Sequence, residues 1–363
     1  MPMKIPLSDI TFLGNESAYC KEALDSRWIS GAGPYLTRFE ELIAGKIQRR
    51  HAICVTNGTM ALELALRAMD IGVGDEVIVP SLTFAAPAAS VLAVGATPVL
   101  VDVTAESWTI DPAAVEKAIG SRTKAIITVD VLGHPCDYDR LLKLGIPIIE
   151  DAAEAHGALY KGRPVGSFGL VSTFSFHANK TITTGEGGCV ATDDDALNKK
   201  MRLIANHGMN PAKPYWHEVT GRNFRMTNLT AAIGCGQAEH WDELVAARNT
   251  AAATYDRTLI GAPIERRPVA SWAKEACWLY TVHSPRRSEL LSALRAEGID
   301  ARAIWHVLPD NPSLAGARVL DHSVARSITD EAFWLPTWAN MPSEMIDHVS
   351  SVLVKTLNAV DLQ

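Results

Sequence analysis

The chain has 363 residues, 47% of them hydrophobic and 21% charged, with a formal charge of -7. That length implies roughly two domains of an ordinary globular protein, and the acidic balance with scattered lysines and arginines excludes the basic field that a nucleic acid partner needs. The first residues lack the apolar centre of a signal peptide and no apolar stretch is long enough to span a bilayer, so a cytoplasmic protein without a membrane contact is expected.

Six cysteines stand singly, with no C-x-x-C spacing, and the eleven histidines form no H-E-x-x-H pattern. Neither arrangement indicates a metal site. Through Ser30 the chain reads as a short helix, followed by a Gly31-Ala32-Gly33-Pro34 turn and a helix with Phe39, Leu42, Ile43 and Ile47 on one face. Residues 51–56 then form a strand, Asn57 and Gly58 a turn, and 59–66 a helix that Thr59 could cap. A strand feeding a glycine turn that opens a helix leaves backbone N–H groups unpaired at the positive end of the dipole. Such a place suits an anion, although it also reads as an ordinary strand-turn-helix.

From Gly74 short apolar runs alternate with helices. Strands are predicted at 76–81, 98–103, 124–130 and 146–151, with helices at 85–94, 112–119 and 138–144 between them, and a fifth strand is predicted where an aliphatic run ends in 172–176. This is the pattern of an α/β fold with a mostly parallel sheet covered by helices on both faces. Ligands on such sheets sit beyond the carboxyl ends of the strands. Asp151, Ser175 and Phe84 all fall at or just after strand ends. The fifth of these strands runs into His177-Ala178-Asn179-Lys180, a loop closed by threonines and glycines up to Gly188.

Each residue has an ordinary reading as well. Asp151 could cap a helix, Phe84 could be core, Ser175 could be a strand-end hydroxyl, and a lone loop lysine is usually a solvated cation. Their combination is what pyridoxal phosphate chemistry requires: a lysine for the Schiff base, a carboxylate for the pyridine nitrogen, a flat face to stack on and a phosphate cradle. After the strand 189–192 and the helix 196–204, Thr227 or Asn228 starts a long helix carrying Leu229, Ile233, Trp241 and Leu244. Gly234 and Gly236 weaken it unless something, such as a neighbouring subunit, packs closely there. Beyond about residue 250 strands are fewer: 278–283, 301–305, and helices 287–297, 323–333 and 344–357. The chain therefore divides into a large domain, 1–248, and a smaller C-terminal α+β domain, 249–363.

The stretches Thr56-Asn57-Gly58-Thr59, Pro80-Ser81-Leu82-Thr83-Phe84, Glu150-Asp151-Ala152-Ala153-Glu154-Ala155-His156-Gly157, Ser175-Phe176-His177-Ala178-Asn179-Lys180, Gly185-Glu186-Gly187-Gly188 and Asn223-Phe224-Arg225-Met226-Thr227-Asn228 resemble the DegT/DnrJ/EryC1/StrS sugar aminotransferases, a family of fold-type I pyridoxal phosphate enzymes. The resemblance implies that Lys180 forms the Schiff base and moves protons, and that Asp151 holds the pyridine nitrogen protonated. It implies that Phe84 stacks on the ring, that Gly58, Thr59 and Ser175 bind the phosphate of pyridoxal 5'-phosphate (PLP/PMP), and that Asn223 reaches the phosphate in the neighbouring subunit of a homodimer. The implied reaction moves an amino group from glutamate or glutamine to a keto-sugar. Within the family the pattern around Pro6, Trp28 and Gly133-His134-Pro135 resembles GDP-perosamine synthase-type 4-aminotransferases, which makes a nucleotide-linked 4-keto-6-deoxy sugar the expected acceptor. A cyclitol or other secondary-metabolite ketone is the alternative acceptor. A sugar dehydratase is a further one, against which the presence of Lys180 counts. The stretch 303–309, which the family uses near the acceptor, departs from the perosamine-type pattern.

Overall fold

A computed structural model describes residues 5–359. The large sheet takes seven strands from the first 192 residues: β1 (His51–Val55), β2 (Glu76–Pro80), β3 (Thr97–Val101), β4 (Thr123–Val129), β5 (Ile148–Asp151), β6 (Val171–Ser175) and β7 (Gly188–Thr192). They join in the order β1-β7-β6-β5-β4-β2-β3, and a two-residue strand, Arg318–Val319, extends the far edge beside β3. Pairings from β6 through β3 are parallel, while β7 runs antiparallel to both β6 and β1. The expected mostly parallel α/β sheet is present.

The period of two along each strand decides which helices cover which face. Val77, Val79, Leu100, Ile127 and Ile149 pack with Leu62, Ala65 and Leu66 of helix Gly58–Ala68. Their neighbours Ile78, Val99, Ile126 and Ile148 turn the other way, onto Val115 of helix Pro112–Ala118 and Tyr138 and Leu141 of helix Tyr138–Leu142. Burial on both faces explains why these strands are continuous Val/Ile runs rather than alternating ones.

The chain's own N-terminal helices, Glu16–Asp25 and Pro34–Lys46, lie on helix Asn228–Glu239. This accounts for its glycines: a Cβ on Gly234 would lie 2.6 Å from the Phe39 ring, and one on Gly236 would lie 2.7 Å from the Glu16 backbone. The close neighbour is therefore within the chain, not a second subunit. The single long helix expected here is two, since His240 (φ -108, ψ 24) ends one and precedes Trp241–Thr258. The break has a packing reason. Ala231, Cys235 and Ala238 belong to the core under the large sheet, whereas Ala251, Ala252 and Tyr255 belong to that of a second, smaller sheet.

That second sheet is antiparallel: Glu265–Arg266, Tyr280–His283, Ala332–Leu335 and Arg302–Ala303, in that order. Helices Arg287–Ala296 and Ser343–Asn358 cover it through Leu290, Leu294, Ile346, Val349 and Leu353. The helix expected over 323–333 stops at Glu331, because Ala332 to Leu335 pair with Tyr280–His283 and Phe333 and Leu335 are fully buried there. Likewise the strand expected over 301–305 keeps only Arg302 and Ala303 in the ladder, leaving Trp305 free to point elsewhere. All six cysteines are free thiols. Among the described residues no helix is long and apolar enough to cross a membrane.

Candidate active site

At the carboxyl ends of β2, β4, β5 and β6 lies a cavity of about 590 Å³ that takes in Gly58, Thr59, Phe84, Asp151, Ser175 and Lys180. Six of the seven residues picked out from sequence are thus brought together. Asn223 is not in this cavity. It is exposed, with its side-chain oxygen accepting from Arg225 Nε at 3.0 Å.

One end of the cavity is built by sheet register. Ser175 pairs with Gly188 and Gly188 with Val55, so the turn after Val55 is carried alongside Ser175. Residue 188 has to be glycine, because a Cβ there would fall 2.4 Å from the Asn57 carbonyl carbon. The cap of helix Gly58–Ala68 is Asn57 rather than Thr59: its Oδ1 accepts from the Met60 amide at 2.9 Å. Ala61 N–H donates to the Asn57 carbonyl. Among the described residues the amides of Gly58 and Thr59 find no acceptor, which leaves two N–H groups at a helix N-terminus beside the Ser175 and Thr59 hydroxyls. Such a set suits a phosphate.

The middle of the cavity holds the charges. Lys180 sits in the loop between β6 and β7, its side chain only 10% exposed, with Nζ 3.3 Å from Glu154 Oε1. Burial lowers its proton affinity below the usual lysine range, with the Glu154 carboxylate opposing. Nζ also lies 3.7 Å from the centroid of the Trp278 ring, a cation–π contact that is worth about 2 kcal/mol or more when desolvated. Asp151, the last residue of β5, is 5% exposed. Burial pushes its carboxyl up to about 7, even though Ala153 N–H donates to Oδ1 at 3.1 Å. A cation set against that carboxylate would restore its charge. An anion cradle, a buried carboxylate, an amine of reduced basicity and a half-exposed phenyl ring at the mouth together fit pyridoxal phosphate.

The remaining wall went unread in the sequence. Trp278 and Trp305 stack with centroids 6.1 Å apart at 16°, and Trp334 meets Trp305 edge-on at 5.0 Å. All three line the cavity, with Arg302 nearby and salt-bridged to Asp300 at 2.7 Å. Five of the nine tryptophans lie beyond residue 270, the one signal that could have marked this wall. Glu154 was visible too, three residues after Asp151 in the same turn.

The model of the DegT/DnrJ/EryC1/StrS aminotransferase family matches residues 13–354. The chain is 43% identical over 355 residues to GDP-perosamine synthase of Caulobacter vibrioides, covering 95% of this chain and 96% of that one. To dTDP-3-amino-3,4,6-trideoxy-alpha-D-glucose transaminase of Streptomyces venezuelae it is 41% identical over 302 residues, 81% of this chain and 79% of the relative. DesV of S. venezuelae, solved in complex with a ketimine intermediate, superposes with a TM-score of 0.92 at 35% identity over 99% of this chain and 100% of that chain. Cavity, fold and sequence agree, and the chain belongs to the DegT/DnrJ/EryC1/StrS family of pyridoxal phosphate-dependent aminotransferases.

Proposed function

We propose that the chain transfers an amino group from glutamate or glutamine to the carbonyl of a nucleotide-linked keto-sugar, a 4-keto-6-deoxyhexose in the first instance, and does so in the cytoplasm as a homodimer. The observation that carries the reading is the single cavity in which Lys180, Asp151 and the Gly58–Thr59–Ser175 cradle converge. Bound there, pyridoxal phosphate supplies an electron sink and carries the amino group between donor and acceptor. Gly58, Thr59 and Ser175 would hold its phosphate, Asp151 its ring nitrogen, Phe84 its face, and Lys180 would be its point of attachment.

The chain's own residues then have separable tasks. Lys180 Nζ, desolvated and held by Glu154, is an amine of lowered proton affinity placed to give and take a proton. Asp151, a buried carboxylate lining the cavity, would hold a protonated ring nitrogen as its counter-charge. The tryptophan wall excludes water and offers flat faces to the C–H side of a sugar ring, and Arg302 places a cation at the rim. The relatives named for perosamine and trideoxyglucose chemistry support a nucleotide-linked acceptor.

The dimer is supported by exposed apolar side chains around the segment that carries Asn223. Trp28 and Ile29 are 57% and 48% exposed and Trp216 53%. They lie on stretches that are tied to the Asn223 segment, through Asn228 N–H to Ser30 O and the bridge between Asn206 and Asn223. Such a patch is what a second copy would cover. The two-domain division at 248/249 remains part of the proposal, with helix Trp241–Thr258 running through it.

The test is a half-reaction. Protein loaded with pyridoxal phosphate should convert glutamate to 2-oxoglutarate, and K180A should lose this by several orders of magnitude. Retained amino transfer in K180A would sink the reading. Offering nucleotide-linked 4-keto and 3-keto sugars beside free cyclitol ketones, with consumption of pyridoxamine phosphate as readout, separates the acceptors.

A further inference from the structure

Arg248 is 2% exposed, and no carboxylate lies within salt-bridge distance of it among the described residues. A guanidinium buried without a counter-ion is costly by several kcal/mol, so its surroundings matter. Its NH2 donates to the carbonyls of Asn179 at 3.1 Å and Lys180 at 3.2 Å and approaches Ser8 Oγ at 3.5 Å, and its NH1 donates to the Trp278 carbonyl. Nε has no acceptor. Trp278 closes the same arrangement from its side chain, with Nε1–H donating to the Asn179 carbonyl at 2.9 Å while its ring face carries the Lys180 ammonium. One planar fork on helix Trp241–Thr258 therefore ties together the lysine's backbone, the tryptophan beneath its amine, and the N-terminal segment whose Leu7 lines the cavity.

We propose that Arg248 is a positioning residue for Lys180, holding the lysine's backbone against Trp278 and setting a fixed positive charge behind the amine. The groups facing Lys180 are Glu154 and Asp151, which favour its charged form, and Arg248, which opposes it. His156, fully buried nearby, is kept neutral by burial first and by the Lys180 and Arg248 cations after that, which push it down to about 3. Around Arg248 itself the titratable groups are the Cys277 thiol, the Lys180 amine and the His156 ring. Arg248 is lowered by burial to about 10 and keeps its proton at neutral pH. An arginine that only stapled the helix to the core would have no such effect on the amine.

The inference rests on the reading that pyridoxal phosphate binds at Lys180, and the experiment separates the two. Holoenzyme carrying R248K or R248Q is compared with wild type for the pH midpoint of the visible band of the bound cofactor, and for kcat and KM with glutamate. R248K keeps the charge and loses the fork: kcat should fall by about tenfold or more, with KM changed less than threefold, because a small misplacement of a reacting group is expensive, and the band midpoint should stay near that of wild type. R248Q loses the charge, and its midpoint should rise by about one pH unit. Variants that lose thermal stability alone, with kcat and midpoint as in wild type, would overturn the proposal. If R248Q does not fold, the kcat-against-KM split of R248K decides it by the same criterion. A wild-type protein without a visible band would instead overturn the cofactor reading.

Discussion

Asp151 shows how burial prepares a single residue for a partner that completes it. Its carboxyl titrates at about 7 in the protein, against about 4 in an unfolded chain. Between those values the folded state holds a proton that the unfolded chain has released, so stability falls as pH rises through that window. His156 acts with the opposite sign. Pushed down to about 3, it lets the unfolded chain bind the extra proton as pH drops below about 6.5, and stability is lost on the acid side. Comparison of wild type with D151N in cofactor-free protein isolates the carboxylate. From pH 5 to pH 8 wild type should lose stability relative to D151N by on the order of a few kcal/mol, read as thermal midpoints. Parallel profiles for the two proteins would show that Asp151 is not held neutral. Loading the cofactor should remove the difference, because a pyridinium cation favours the ionised carboxylate.

At the scale of the element, the same substitution should have opposite outcomes on two packed helices. Gly234→Ala places a methyl 2.6 Å from the Phe39 ring; overpacking costs about 1–3 kcal/mol and outweighs the roughly 1 kcal/mol of helix propensity gained. Gly45→Ala, in helix Pro34–Lys46 with nothing within 4 Å of the added Cβ, should stabilise by about 0.5–1 kcal/mol. Urea unfolding distinguishes the two, and an equal response at both sites would refute the packing argument. These helices also mark what the sequence disclosed. Apolar runs ending in Asp151 and Ser175 were legible as buried strands, because burial on both faces leaves a continuous Val/Ile signature, and strand ends fix where ligands sit. Asn228 was not legible as what it is: its side chain caps helix Pro34–Lys46 by accepting from Tyr35 N–H at 2.9 Å, and it donates to the Trp28 carbonyl at 2.7 Å. Those contacts span about 190 and 200 residues of chain. Arg248 and Trp278 escaped for the same reason, since what they do depends on a loop 68 and 99 residues away and no local pattern encodes it.

For the whole molecule, the separation of Asn223 from the cavity of its own chain gives a test that needs no structure of the assembly. If Asn223 completes the phosphate cradle of the neighbouring subunit, each site draws Lys180 from one chain and Asn223 from the other. K180A alone has no attachment lysine, and N223D sets a carboxylate against the phosphate, so each homodimer should be nearly inactive. A dimer of one K180A and one N223D chain has one site carrying both defects and one carrying neither. Mixing equal amounts under conditions that exchange subunits should therefore restore about a quarter of wild-type sites, since about half the dimers are mixed and each has one intact site. Recovered activity should track the population of mixed dimers when the mixing ratio is varied. No recovery after demonstrated subunit exchange would mean that Asn223 serves its own chain or none, and would detach the exposed patch around Trp28 and Trp216 from any part in catalysis.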